Sequence, residues 1–180
     1  MKHITLRIIA GIYKNKSIVS YSEKTRETSN MVRGAVFNML YTVSGEGLDL
    51  FAGSGAYGFE GLSRGLNSVV LNDSNQLAYQ SLLKNKTCLN ANATIYNLDY
   101  KTLVSKLITD RKSFDYIFLD PPYELDINPI ILAVEPILKS NGFVIAEIDK
   151  KNSVSRLADS LVIEKERMHG IKKIIIIRKK

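Results

Sequence analysis

Leu48-Asp49-Leu50-Phe51-Ala52-Gly53-Ser54-Gly55-Ala56-Tyr57-Gly58 is the stretch that decides the fold. Its apolar opening predicts a buried strand ending at Asp49-Leu50. Gly53 and Gly55 predict a tight turn, and a helix is expected from Ala56. Where a strand, a glycine turn and a helix start meet, exposed backbone N–H groups converge and form a ligand pocket. Glycine supplies positive φ there and lets a ligand approach the backbone without a Cβ in the way. A second stretch, Asp120-Pro121-Pro122-Tyr123, also follows an apolar run, Tyr116-Ile117-Phe118-Leu119.

Outward from the glycine turn the pattern alternates. Strands are predicted at 47–51, 68–72, 93–97, 115–119 and 143–148. Between them lie helices at 56–64, 74–89, 100–110 and 127–139, the last stopped by Asn141-Gly142. A short helix near 153–159 precedes two closing strands, 161–167 and 171–178, around His169-Gly170. Ile174 to Ile177 is too apolar for a free tail and belongs inside the sheet. Upstream, Ser29 is a candidate N-cap for a helix whose stripe is Val32, Val36, Phe37, Leu40 and Tyr41. Strands at 6–10 and 16–20 predict a hairpin, and 21–28 reads as a polar loop. The fold expected is Rossmann-like α/β: a mostly parallel seven-stranded sheet with an antiparallel C-terminal strand. Residues 1–28 form a small hairpin extension and 29–180 the main domain.

Composition sets outer limits. The chain has 180 residues, 45% hydrophobic and 24% charged, which suits one globular domain. No apolar run approaches the ~18 residues of a membrane span. Thr5, Arg7 and Lys14 interrupt any signal-peptide core. Cys88 is the one cysteine, expected in a helix core, and excludes an internal disulfide; a reducing cytoplasm fits. The net charge is +7 and concentrated at the ends. Residues 1–40 carry Lys2, Arg7, Lys14, Lys16, Lys24, Arg26 and Arg33 against Glu23 and Glu27, and the last nine carry five more basic groups with no acid. Basic ends suggest a polyanion, most simply nucleic acid.

The glycine turn lacks the Lys-Ser or Lys-Thr of a P-loop. Gly53-x-Gly55-x-x-Gly58 fits the dinucleotide fingerprint. Yet Asp49, four residues before the first glycine, would repel a pyrophosphate and suits a cationic ligand. S-adenosylmethionine has an ammonium, a sulfonium and no phosphate. Asp73 ends the next strand, where it or Asn72 could accept from ribose hydroxyls. Asp99 ends the third, where adenine would lie. Each acid also precedes a helix, so an N-cap is the alternative role. In Asp120-Pro121-Pro122-Tyr123, two prolines fix φ and remove two N–H donors. The Asp120 carboxylate and Pro121 carbonyl can then both accept from one exocyclic amino group, directing its lone pair at an electrophilic methyl. Tyr123 offers a face for a planar base. Such an amine is a poor nucleophile because its lone pair is delocalised, so positioning in a desolvated pocket is the expected source of rate. Glu147 either lines this cleft or is solvated. His3 and His169 stand far apart, and no spacing suggests a metal.

These motifs resemble the RsmD family of bacterial 16S ribosomal RNA guanine-N2 methyltransferases over nearly the whole chain. Leu6-Arg7-Ile8-Ile9-Ala10-Gly11-Ile12-Tyr13-Lys14 is similar to the family's R-I-I-x-G-x-x-[KR] opening, and Val32 to Leu40 to its V-R-E-A-[LV]-F-N-x-L helix. Asp49 to Gly58 matches D-L-F-A-G-S-G-x-x-G, Phe59 to Gly65 continues into its S-R-G, and Asp120 to Tyr123 is its D-P-P-Y. The resemblance implies a class I methyltransferase fold and S-adenosylmethionine as cofactor. Asp49, Gly53 and Gly55 would hold its methionine end, with Phe51 and Ser54 in the same cradle, Asp73 at the ribose and Asp99 at the adenine side. Asp120, Pro121, Pro122 and Tyr123 would hold the target guanine. Arg7, Lys14, Lys16, Arg26 and Arg33 would contact ribosomal RNA or a small-subunit particle, with the enzyme a monomer and no metal or membrane involved. The family's R-P-T-x-D-R-V-R-E is altered here: Asn30, Met31 and Gly34 stand where it has Asp, Arg and Glu. A DNA adenine-N6 methyltransferase shares the D-P-P-Y chemistry, but 180 residues leave little room for a recognition domain. A protein-glutamine methyltransferase typically has Asn where Asp120 stands. A non-catalytic RNA-binding relative is a further alternative, against which the intact Asp49, Gly53, Gly55 and Asp120 speak.

Overall fold

The structure, a computed structural model, describes residues 3–21 and 30–180. β1 (Ile4–Arg7) and β2 (Ser17–Ser20) pair as an antiparallel hairpin. After α1 (Asn30–Leu40) the alternation begins: β3 (Glu46–Asp49), α2 (Ala56–Arg64), β4 (Ser68–Asn72), α3 (Gln76–Leu89) and β5 (Ala93–Tyr96). It continues with α4 (Tyr100–Thr109), β6 (Phe114–Leu119), α5 (Ile127–Val134) and β7 (Leu138–Asp149), and closes with β8 (Leu161–His169) and β9 (Lys172–Lys179).

The main sheet has the order β5-β4-β3-β6-β7-β9-β8. The strands from β3 to β7 pair parallel; β9 is antiparallel to β7 and β8. Side chains alternate across the pleat. Leu71, Phe118, Ile145 and Ile174 pack with Val36, Phe37, Phe59 and Leu82 of α1 to α3 on one face. Leu48, Ile117, Val144 and Ile175 pack with Leu103, Leu107, Ile130 and Ile131 of α4 and α5 on the other. β9 lies between two strands, so Ile174 to Ile177 are buried on both faces, as their composition requires. From β3 the chain goes to β4 on one side, while β6 pairs on the other. The carboxyl ends of β3 and β6 therefore flank a topological switch point, where open α/β sheets bind ligands.

The hairpin is bolted to α2. Glu60, wholly buried, accepts from the Ile9 and Ala10 N–H groups at 2.8 and 3.1 Å and pairs with Arg64 at 2.7 Å and Arg33 at 3.5 Å. Ile12 N–H donates to the Ser63 carbonyl at 2.8 Å. Gly11 has φ +83, and a Cβ there would collide with that carbonyl. Further along, Val19 N–H donates to the Asn85 side chain and Tyr21 N–H to Ser81 Oγ.

Several expected elements shift. The first strand forms at Ile4–Arg7 instead of 6–10, because Glu60 takes the Ile9 and Ala10 N–H groups. The helix expected over 127–139 ends at Val134. A 3₁₀ turn, Glu135–Ile137, follows, and β7 already starts at Leu138, with Asn141 at φ 61 inside it. No helix forms at 153–159: the Ser155 and Arg156 N–H groups donate to the Asn128 side chain, outside any helical ladder. Cys88 is exposed, because the buried stripe of α3 runs through Ala78, Ser81, Leu82, Asn85 and Leu89. The Ser29 cap and most of the 21–28 loop lie outside the described residues. No helix among those described is long and apolar enough to cross a membrane.

Candidate active site

A crevice of about 600 Å³ opens at the switch point. That volume suits a cofactor-sized ligand. Asp49, Phe51, Gly53, Asp73, Asp99, Asp120, Pro121, Pro122 and Tyr123 all line it, so residues from four strand ends meet where the sequence placed them. Ser54 and Gly55, expected in the cradle, do not line it. Ser54 is buried, and its carbonyl accepts from Asn85; Gly55, at φ 83, is the N-cap residue of α2, with Phe59 and Leu82 against its missing Cβ.

The cofactor side is built from backbone bonds. Asp49, 2% exposed, accepts from Gly58 N–H at 3.0 Å. A Cβ on Gly58 would meet the Leu71 side chain, so the third glycine serves close helix–strand packing. Asp73 accepts from Gly53 N–H at 2.9 Å and Asn75 N–H at 2.8 Å. Burial raises its carboxyl above the ordinary aspartate value, although both N–H groups oppose the shift. Asn72 lines the crevice beside Asp73. The Asn72 amide donates to the Leu50 and Leu98 carbonyls and accepts from Leu98 N–H, all internal links between strand tips. Asp99 does cap a helix, accepting from Lys101 N–H at 2.9 Å, and lines the crevice as well. Beside it Phe51 and Tyr100, rings 5.4 Å apart, make an apolar wall. Tyr100 was not singled out in the sequence.

The opposite side carries charge partners. Asp120 follows the end of β6, and Lys172 Nζ lies 3.4 Å from its Oδ1. Lys172 also pairs with buried Glu147 at 2.9 Å, and Tyr57 donates to Glu147 from the other side at 2.8 Å. Burial would lower the Lys172 ammonium, but Asp120, Glu147 and Tyr123 outweigh it and hold it above the ordinary lysine range. Burial, then Glu147 and Asp120, raise the Tyr57 hydroxyl well above its usual value. Glu147 therefore lines this network and is not solvated. Lys172 and Tyr57 gave no local signal. The Pro122 carbonyl accepts from Leu125 N–H, closing the turn after the two prolines.

The basic residues expected at RNA divide. Arg7, Lys14 and Lys16 are exposed on the hairpin, outside the crevice. Its turn docks on Ser63, at the end of α2 away from the crevice, and α2's nine residues span about 13 Å. Arg33 cannot contact RNA in this fold: it is 0% exposed, donates to the Arg7 carbonyl at 2.6 Å and pairs with Glu60. Arg26 lies outside the described residues. The basic C-terminus is largely paired internally, Lys172 as above, Arg178 with Glu164 and Lys179 with Glu135.

The donor set fits S-adenosylmethionine. Five acids and one lysine line the crevice, which disfavours phosphates and suits a cation, while Phe51 and Tyr100 offer aromatic faces. Sheet order, acid-tipped crevice and D-P-P-Y turn together define a class I methyltransferase. A family model described as "Conserved hypothetical protein 95" matches residues 6–178. The chain belongs to that family, the RsmD family. Among its relatives, the "Putative rRNA methyltransferase YlbH" of Bacillus subtilis is 32% identical, over 97% of this chain and 100% of its own. The "Ribosomal RNA small subunit methyltransferase D" of Haemophilus influenzae is 31% identical over 92% and 90%. In fold, the solved "Putative methyltransferase yhhF from Escherichia coli" is similar with a TM-score of 0.85 at 23% identity, over 98% of this chain and 99% of that one.

Proposed function

We propose that this chain transfers a methyl group from S-adenosylmethionine to the exocyclic N2 of a guanine in small-subunit ribosomal RNA. The observation that carries the reading is that Asp120 and Tyr123 face the same crevice as Asp49, Asp73 and Asp99. A base clamp and an acid-lined cofactor bed thus share one space. The names of the relatives agree with ribosomal RNA as substrate.

When bound, S-adenosylmethionine supplies an electrophilic methyl on its sulfonium. Asp49 and the Gly53 turn would hold the methionine end, Asp73 the ribose, and Asp99 with Phe51 and Tyr100 the adenine. Asp120 and the Pro121 carbonyl accept from the two N–H bonds of the guanine amine, which restrains the group and turns its lone pair toward the cofactor. Tyr123 stacks on the base. The amine becomes strongly acidic only as it is alkylated, so a weak base suffices to take its proton. Reaching Asp120 requires the base to leave its stack. Residues 1–28 act as an RNA-contact extension, Arg7, Lys14 and Lys16 meeting phosphates at a distance from the flipped base. The enzyme works as a monomer in the cytoplasm, on rRNA or a small-subunit particle, without a metal.

Mass-spectrometric mapping of ribosomal RNA from a deletion strain tests this. Loss of one N2-methylguanosine, restored by the gene, is expected. An unchanged modification profile would overturn the reading.

A further inference from the structure

We propose that Lys172 is a positioning residue of the base clamp, an ammonium that Glu147 and Tyr57 hold against both Asp120 and Tyr123; this rests on the methyltransferase reading above. Lys172 is the one basic side chain among the described residues lining the crevice. Its Nζ stands 2.9 Å from Glu147 Oε1, 3.4 Å from Asp120 Oδ1 and 4.8 Å from the centre of the Tyr123 ring. Glu147 is fixed from behind by the Tyr57 hydroxyl at 2.8 Å, and the Tyr57 ring stacks on Phe118 at 5.4 Å. α2, β7, β9 and the tip of β6 are thereby joined through side chains. The shorter ion pair fixes where the ammonium sits. The longer one supplies charge to Asp120 without holding that carboxylate closely, and the cation–π contact restrains Tyr123, which is 42% exposed.

The need for the cation follows from the company Asp120 keeps. Asp120 shares Lys172 with buried Glu147 from β7, and Glu147, Asp120 and Asp49 from β3 all bear on the Tyr57 hydroxyl from α2, so three acids converge on this part of the fold. A cation within reach favours the ionised form of a carboxylate. A protonated Asp120 would present an O–H to the amine where the clamp needs an acceptor. Lys172, pushed above the ordinary lysine range, stays charged at neutral pH and balances the group.

Two measurements test the assignment. In steady-state methylation of a 16S rRNA transcript or small-subunit particle, Lys172→Met should lower kcat about 10- to 100-fold, the effect of losing one charge-assisted contact. KM for RNA and Kd for cofactor should stay within about threefold. The acid limb of the kcat–pH profile should move to higher pH, and Lys172→Arg should restore both rate and limb. Equal losses in Met and Arg variants with an unmoved limb would mean a merely structural role and overturn the proposal. Independently of activity, NMR of ¹⁵N-lysine-labelled protein should show a protected Lys172 ammonium signal that shifts in Asp120→Asn and in Glu147→Gln. A signal indifferent to both substitutions overturns it. A wild-type protein inert on ribosomal RNA would sink the methylation reading, and the ammonium signal would still decide the placement of Lys172.

Discussion

The two halves of the crevice are made differently. On the cofactor side each acid is tied to backbone N–H groups of nearby turns: Asp49 to Gly58, Asp73 to Gly53 and Asn75, Asp99 to Lys101. On the base side the ties run between side chains distant in sequence, 52 positions from Asp120 to Lys172 and 90 from Tyr57 to Glu147. Local backbone geometry therefore sets the first half. Charge balance among strands that meet only in the folded sheet sets the second. If so, the halves should fail separately.

The largest expected effect is at Asp120. Asp120→Ala removes the charged acceptor from the clamp and should lower kcat by about 10³-fold or more, with cofactor Kd within about threefold. Radiolabelled methyl transfer and calorimetry measure the two. Joint loss would show that the halves are one unit. Next, Asp73→Ala should raise cofactor Kd about 10- to 100-fold while kcat at saturating cofactor changes only a few-fold. A kcat loss matching that at Asp120 would break the comparison.

A pH dependence sharpens it. The folded Asp73 carboxyl titrates above its unfolded value because of burial. In the proposed role its ionised form would accept from ribose hydroxyls, so cofactor affinity should be full above that raised value and fall as pH drops through it. In the cofactor-free protein the same protonation relieves a burial cost. The thermal stabilisation given by saturating cofactor should therefore shrink as pH falls from neutral into the acid range, and Asp73→Asn should flatten the trend. The smallest effect belongs to Asp99, which is shared between a cap and the crevice. Asp99→Ala should cost about 1 kcal/mol of stability by thermal melting, with cofactor Kd changed less than threefold. A larger affinity loss would make the cofactor contact, and not the cap, the main role of Asp99.

Much of this was legible in advance because its causes are local. The helix expected at 56–64 and the strand at 68–72 form at those residues, since Gly65 and the alternating apolar run mark their limits. The apolar Ile174–Ile177 run could be stable only within a sheet, and there it lies. The misreadings share one origin. Arg33 carries a charge that reads as RNA contact, yet Glu60 from another element buries it. The 153–159 segment has helical composition, but the Asn128 side chain captures its N–H groups. For Cys88 and Ser54, neighbourhood in sequence misleads, because the helix face or turn orientation that decides them is set by packing.

By itself the sequence determined the alternating fold, the acid at each parallel strand tip and the D-P-P-Y turn. These follow from apolar period, glycine φ and proline rigidity, all acting within a few residues. Only the tertiary structure decided which cation stands beside the clamp. β9 runs antiparallel to β7, and the Asp149–Lys172 register brings the first residue of β9 to the carboxyl edge of the sheet. That places Lys172 between Glu147 and Asp120. No local pattern encodes such a meeting, because it depends on strand order and direction across the whole sheet.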